Sequence, residues 1–120
     1  MGNTELVKLL LEDPRVDPAV NNNAAIRGAS EFGYLEVVKL LLKDPRVDPS
    51  DDNNYAIQRA SLNGYLGVVK LLLEDPRVDP ADDNNAAIKF ASENRYVRIV
   101  KLLREKSEEA NRYYLRHIKK

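Results

Sequence analysis

Apolar positions along the chain follow two alternating patterns, both with helical periodicity. The first pattern is a narrow stripe of small or branched residues, formed by Ala25, Ile26 and Ala29. The second pattern is a broad face suited to burial, formed by Leu35, Val38, Leu41 and Leu42. Because both spacings follow the α-helical period, the sequence predicts pairs of short helices. The small residues allow close approach of helices, and the leucine-rich face supplies most of the core.

The pair of patterns repeats every 31 residues, a spacing marked by four lysines: Lys8, Lys39, Lys70 and Lys101. When residues 33–53 are aligned with residues 64–84, three of the 21 positions differ and 18 are identical. Such regularity indicates a recent duplication, or a consensus, designed or excised repeat array.

Glycine, proline and polar residues mark the boundaries within each unit. Gly33 lies between the two patterns, where a residue in the left-handed region lets the chain reverse. Pro45 ends the second helix near Asp44 and opens a rigid connector, Pro-Arg-Val-Asp-Pro. The polar run at 51–54 then predicts N-cap residues for the next first helix.

The composition excludes several classes of chemistry. A chain of 120 residues fits one domain, and 43% hydrophobic with 32% charged residues is typical of a folded chain. The absence of Cys and the single His exclude disulfides, thiolate zinc sites and most nucleophile–base triads. Nineteen basic and nineteen acidic residues cancel, so neither nucleic-acid binding nor membrane association is predicted. We expect a cytoplasmic location, or recombinant production only.

The connector arginines lie at the same place in each unit: Arg15, Arg46 and Arg77. Because acids lie near each of them and no Gly-rich loop precedes a helix, we favour a structural row of charges over a phosphate-binding row. Alternating side chains at 48–52 resemble a calcium loop, but Asn53 and Arg59 occupy its Gly and Glu positions. The sequence therefore predicts no metal site.

Residues 33–42, Gly-Tyr-Leu-Glu-Val-Val-Lys-Leu-Leu-Leu, resemble the Gly-His-Leu-Glu-Val-Val-Lys-Leu-Leu-Leu segment of ankyrin repeats, and similar segments return at 64–73 and 96–103. The resemblance covers nearly the whole chain. It implies an all-α, ankyrin-like solenoid of stacked helix-turn-helix repeats that binds other proteins on its concave face and loop tips. It implies no catalytic residue and no cofactor.

The chain departs from the family pattern in two places. Where ankyrin repeats carry Thr-Pro-Leu-His-x-Ala, residues 55–60 read Tyr-Ala-Ile-Gln-Arg-Ala. The unit is also two residues shorter than the family's 33, with a Pro-Arg-Val-Asp-Pro connector. We therefore expect tight loops in place of long β-hairpin fingers.

The single repeat domain, residues 1–120, divides into unequal units. Residues 1–22 match only a second helix and form an N-terminal half repeat, followed by repeats at 23–53 and 54–84 and a terminal repeat at 85–106. Residues 107–120 predict a capping helix with apolar positions at helical spacing: Ala110, Tyr113, Tyr114, His117 and Ile118. This gives about three and a half units with a C-terminal cap.

Because the units are nearly identical, positions that vary within the repeat identify a candidate binding surface. They lie on the first helix and its end, which is the concave side in the resembled family. The candidate protein-binding residues are Tyr55, Arg59, Phe90, Arg27, Phe32, Leu62, Gln58 and Lys89. Aromatic and arginine residues dominate binding hot spots, which favours the first three. Drift at permissive surface positions is the alternative.

Two functions remain open. The leading one is a non-catalytic protein-binding or scaffold module with an unknown partner, or with no natural ligand if the array is engineered. The alternative is a self-assembling structural unit, a weak homo-oligomer in place of a monomer. The half repeat leaves leucines uncovered. Nine basic and three acidic residues give 95–120 a net charge of +6, against −6 for 1–94. An enzyme is not predicted, since no nucleophile–base pair or metal set emerges.

Overall fold

The computed structural model describes residues 4–119, and this part of the chain contains only helices and turns, which confirms the all-α prediction. The helices stack in one direction to form an elongated body of 51 × 23 × 19 Å. In chain order they are α1 (Thr4–Glu12), α2 (Val20–Glu31), α3 (Leu35–Leu42), α4 (Asp51–Leu62), α5 (Leu66–Leu73), α6 (Asp82–Glu93), α7 (Val97–Lys106), α8 (Glu108–Tyr113) and a π-helical turn (Tyr114–Ile118).

Two parallel rows of helices form the solenoid. The first helices α2, α4 and α6 contact one another more extensively than the second helices α3, α5 and α7 do. The first helices carry the buried alanines: Ala29, Ala56, Ala60, Ala87 and Ala91. Because alanine lets helix axes approach closely, the row of first helices is the tighter of the two. The first helices form the side that the ankyrin resemblance implies to be concave, and we call it the concave side.

The core runs continuously between the two rows. Ile26, Ile57 and Ile88 of the first helices are buried, and they meet branched residues of the second helices such as Val38 and Val69. Full burial of one such side chain stabilises the fold by roughly 1.5–3 kcal/mol. Each unit therefore obtains much of its stability from its neighbours.

The turn between the two helices of a unit depends on glycine. Gly33 and Gly64 have φ angles of +74° and +80°, as the sequence predicts for a left-handed reversal. A Cβ atom on Gly33 would lie 2.7 Å from the ring of Tyr65 in the following unit. Arg95 occupies the same place in the last unit with a φ of +61°. In the described residues, no later unit places a tyrosine ring against position 95. This position therefore has room for a side chain.

A short left-handed turn precedes the right-handed part of each first helix. In α4, Asp52, Asn53 and Asn54 have φ angles of 57–62° and ψ angles of 39–51°, and α2 and α6 repeat this conformation. The prediction that residues 51–54 cap the helix is therefore wrong: no side-chain cap bond forms at Ser50, and right-handed geometry begins at Tyr55. Asn and Asp tolerate this region better than other residues with a Cβ.

The third residue of each left-handed turn is a buried asparagine, and in α2 and α4 it joins its helix to the connector and the first helix that follow. The Oδ1 of Asn23 accepts a hydrogen bond of 2.9 Å from the backbone N–H of Asp48, and its Nδ2 donates one of 2.9 Å to Asp51. One unit later Asn54 makes the same two bonds, each 2.9 Å long, with Asp79 and Asp82. We call this pair of bonds the asparagine latch.

The tail packs on the last unit. The Oγ of Ser107 accepts a hydrogen bond of 3.0 Å from the Ala110 N–H and caps α8, and Ala110 is fully buried. Three further tail residues lie against the core: Tyr113, Tyr114 and Ile118. His117, which the helical spacing places with them, remains exposed, and its ring centroid lies 4.5 Å from that of Tyr113.

We predict opposite effects for alanine at two glycines. Gly33→Ala should lower the free energy of unfolding by about 1–3 kcal/mol, because the residue has a positive φ and meets the Tyr65 ring. Gly28 lies inside α2, where a Cβ would have no neighbour within 4 Å, so Gly28→Ala should raise it by about 0.4–1 kcal/mol. Urea denaturation followed by circular dichroism measures both, and equal effects would contradict the account.

The asparagine latch is tested by comparing two alanine substitutions. Asn54 and Asn85 share the left-handed conformation, but only Asn54 has a following connector to bind; the Oδ1 of Asn85 is buried with no hydrogen-bond partner in the described residues. Asn54→Ala should therefore destabilise the protein by about 1–3 kcal/mol more than Asn85→Ala, because it leaves the latch partners unsatisfied. Equal losses in urea denaturation would show that the latch contributes nothing beyond the turn conformation.

Candidate protein-binding surface

The centre of the concave side is an aromatic ring between two arginines. The Tyr55 ring lies 5.3 Å from the guanidinium carbon of Arg27 in the preceding unit and 5.1 Å from that of Arg59 one helical turn later. The Tyr55 hydroxyl donates a 3.2 Å hydrogen bond to Glu31. The structure thus brings three of the sequence-predicted residues into one cluster, which we call the Tyr55 cluster: Arg27, Tyr55 and Arg59.

The two arginines of the cluster differ in their other partners. Arg27 donates bonds of 3.0 and 3.1 Å to the carbonyls of Asn22 and Asn21, and lies 3.5 Å from an Asp52 carboxylate oxygen. These bonds hold its guanidinium against the left-handed turn. Within the described residues, the guanidinium of Arg59 has no carboxylate or carbonyl partner, and it lies over the Tyr55 ring. The residue is half-buried.

Gln58 supports the turn and offers little to a partner. It occupies the position of Arg27 one unit later, and its Nε2 donates a 2.7 Å bond to the Asn53 carbonyl. Its side chain is buried. The sequence places Gln58 on the candidate surface because it varies among the units. The structure shows that Gln58 replaces the arginine of the earlier unit and keeps a hydrogen bond from this position to a carbonyl of the left-handed turn.

The remaining candidates are spread along the concave side and its edge. Phe90 and Leu62 are half-buried on their helices. The Lys89 ammonium lies 5.4 Å from the centroid of Tyr113, which extends the surface onto the tail. Phe32 is exposed at the end of α2, where its ring stacks on Tyr34 at 6.0 Å. Within the described residues, no hydrogen bond, ion pair or ring contact joins it to the Tyr55 cluster.

The tail contributes residues that sequence reasoning did not assign to the surface. The Arg104 guanidinium carbon lies 4.2 Å from the ring centroid of Tyr114, and its Nε donates a 2.8 Å bond to Asn111. The sequence identifies Tyr113 and Tyr114 only as capping residues. Their spacing gives no indication that basic side chains of α6 and α7 would lie on their rings.

The connector arginines form the structural row that the sequence favours. Arg46 pairs with Asp44 at 2.7 Å and also donates a 2.8 Å bond to the Val16 carbonyl of the preceding unit. Arg77 repeats this with Asp75 and the Val47 carbonyl, at 2.8 and 3.0 Å. The partner is thus the aspartate two residues earlier. Because the donors are already engaged, this edge is not arranged to hold a phosphate.

A model of ankyrin repeats, in three copies, matches residues 27–113 of the chain. The chain therefore belongs to the ankyrin-repeat family. Ankyrin repeats generally mediate protein–protein interaction, and the family is generally non-enzymatic. No curated protein and no solved structure matches the chain. Among residues 4–119, no helix has the length and apolar character needed to cross a membrane.

The connector ion pair makes stability depend on pH in the acid range. Hydrogen bonds from the Arg46 side chain and backbone lower the pKa of Asp44 to about 2. A folded-state pKa below the unfolded value of about 3.9 means that the pair stabilises the fold above that pH and stops doing so as the pH falls towards 2.

Asp44→Asn should therefore lower Tm at neutral pH. It should also make Tm fall less steeply as the pH is lowered from about 4 to about 2.

The pH dependence of Tm, measured by circular dichroism in wild type and in Asp44→Asn, checks this prediction. Arg46→Ala removes the side-chain bonds to Asp44 but keeps the backbone N–H bond, so it should flatten the acid decline in the same direction and to a smaller extent. Parallel curves for wild type and Asp44→Asn between about pH 4 and pH 2 would refute it.

Proposed function

We propose that this chain is a non-catalytic binding module that holds a partner protein on its concave side, with Tyr55, Arg59 and Phe90 as the main contacts. The observation that supports this proposal is the geometry of the Tyr55 cluster. Its ring is fixed by a hydroxyl bond and by two guanidinium groups before any partner arrives. A side chain ordered in the free protein loses little conformational entropy on binding, and aromatic and arginine residues dominate binding hot spots.

The arrangement around Arg59 defines the chemistry of the partner. The guanidinium has five N–H donors and no acceptor in the described residues, while its flat face covers Tyr55. A partner carboxylate, or a pair of backbone carbonyls, would satisfy these donors and add a charge-assisted hydrogen bond. Phe90, at the equivalent position one unit later, adds apolar surface next to it. The partner is then an acidic or carbonyl-presenting segment with an adjacent apolar side chain.

The test compares a concave variant with a convex one. A photoreactive amino acid at Leu62 cross-links the partner in a lysate of the source cells, and the identified partner is then purified for calorimetry. The concave variant combines Tyr55→Ala, Arg59→Ala and Phe90→Ala; the units already carry alanine at 24 and 86, the positions equivalent to Tyr55. The convex variant removes three exposed lysines of the second helices, Lys39, Lys70 and Lys101.

The concave variant should bind at least about 100-fold more weakly, with unchanged helicity, because hot-spot residues contribute 2 kcal/mol or more each. The convex variant should stay within about threefold of wild type, since an exposed charge outside the contact changes affinity little. Equal affinity of wild type and concave variant, or an equal loss in the convex variant, would show that the partner binds elsewhere.

A second function, self-association through the ends of the solenoid, is favoured by a separate observation. Helix α1 buries none of its residues fully, whereas the equivalent helices α3, α5 and α7 each have a buried face. Five of the eight exposed large apolar side chains in the described residues belong to the first 32 positions: Leu6, Leu9, Leu10, Val20 and Phe32. Apolar surface gathered at one end is typical of an interaction site.

A further inference from the structure

The N-terminal end of the solenoid exposes positions that every later unit buries. Leu10 is 45% exposed, while its equivalents Leu41, Leu72 and Leu103 are 3% exposed or less. Ala25 is exposed as well, and its equivalents in α4 and α6 are fully buried. In the later units, the first helix of the same unit contacts the helix that carries the equivalent of Leu10, and the first helix of the preceding unit contacts the helix that carries the equivalent of Ala25. The described part of the chain has no such helix before α1, so this side of α1 and α2 is open.

Two polar positions on the open side have become apolar. Asp51 of α4 accepts a latch bond from Asn23 of α2, and the equivalent residue at the start of α2 is Val20. Asn63 donates a 2.9 Å bond to the Glu31 carbonyl of the preceding unit, and its equivalent is Phe32. Val20 and Phe32 are 55% and 61% exposed. Solvent exposure alone would favour the polar residues, so these replacements favour contact with another apolar surface.

The C-terminal end is closed to a further unit. Arg95 stands where Gly33 and Gly64 receive the tyrosine ring of the next unit, and at both glycines a Cβ atom would lie 2.7 Å from that ring. The Oδ1 of Asn85, which would bind the next connector, is enclosed. Ala110 of the tail is fully buried against the last unit. Apart from the exposed Val97, a second molecule therefore meets little surface at this end that resembles the inside of the array.

From these contrasts we infer that two copies of the chain associate through their N-terminal faces, defined as the exposed side chains of Leu6, Leu9, Leu10, Val20, Ala25 and Phe32. The inference rests on the proposed self-association and specifies its geometry. Because the C-terminal end is closed, head-to-tail growth has no receiving surface. A contact between identical faces is two-fold symmetric and closes at the dimer.

The apolar area of the N-terminal face suits a dimer. Five large apolar side chains, each about half exposed, present on the order of 400 Å² of apolar surface. A stable interface buries about 800 Å² per partner, and somewhat more than half of it is apolar. The N-terminal face therefore provides most of the apolar part of one such interface. The association is then insensitive to salt, unlike attraction between the basic tail and the acidic body.

The experiment measures molar mass by light scattering and sedimentation from about 5 to about 500 µM, at low and moderate salt. The N-face variant combines Val20→Asp and Phe32→Asn, which restore the residues that later units carry at these positions, so the fold has precedent for both. The matched control is Val97→Asp. Val97 is exposed and corresponds to Leu35, whose side chain lies against Gly67 of the following unit, so it marks the C-terminal side.

Wild type and Val97→Asp should both convert from monomer to a dimer of twice the 13.6 kDa chain mass as concentration rises, at either salt. The N-face variant should remain monomeric with unchanged circular dichroism. A wild-type monomer at all concentrations would overturn self-association as a whole. Growth beyond the dimer, or dissociation by Val97→Asp, would retain self-association but overturn the symmetric N-terminal contact.

A peptide covering residues 19–34 separates a dimer from a foreign helix on the same face. It contains α2, the helix that fills the equivalent place in the next unit. If fluorescence anisotropy shows that the labelled peptide binds a chain that stays monomeric, the face accepts a partner helix and the dimer is overturned. Competition between peptide and dimer, abolished in the N-face variant, would support the inference.

Discussion

The asparagine latch is the interaction on which the rest of the structure depends. Three consecutive residues with a Cβ atom adopt left-handed geometry, which is unfavourable in isolation even for Asn and Asp. In α2 and α4 the third side chain reaches the connector and first helix that follow and satisfies one donor and one acceptor in a buried place, whereas the turn of α6 has the same conformation without these bonds. In α2 and α4 the local strain is thus offset by latch bonds.

The latch also fixes the geometry of the concave side. The left-handed turn precedes the right-handed part of each first helix, and Arg27 and Gln58 bind the carbonyls of their own turns. Arg27 is therefore held where it can lie against Tyr55 of the following unit. Arg59 has no turn to support and remains available. The distinction between supporting and available side chains on this surface follows from the turn.

Departures from the repeat are informative because they lie in the first and last units of residues 4–119. Glycine is required where a tyrosine of the next unit packs, and Arg95 appears where no tyrosine follows. Asp51 and Asn63 bind the first helix before them, and Val20 and Phe32 stand at the equivalent positions of α2, before which the described residues have no first helix. The same residue type can therefore be essential in one unit and dispensable in another.

The helical periodicity of the apolar residues, together with the positions of glycine and proline, is sufficient to predict the paired helices, the reversal at Gly33 and the all-α solenoid. They do not predict the left-handed turn, since Asp-Asp-Asn-Asn also fits a helix cap and only burial against the next unit distinguishes the two. For the candidate surface, variation among units predicts Tyr55 and Arg59, which the structure brings together. It also selects Gln58, whose role in the turn depends on a backbone carbonyl that no side-chain pattern reveals.

Hydrogen exchange at three aspartate amides tests the latch most directly. The N–H groups of Asp48 and Asp79 donate to the latch, whereas Asp17, at the equivalent place in the first unit, has no acceptor for its N–H in the described residues. The account predicts that the amides of Asp48 and Asp79 exchange at least about 100-fold more slowly than that of Asp17, measured by NMR relative to unfolded-chain rates. Equal protection of all three amides would contradict it.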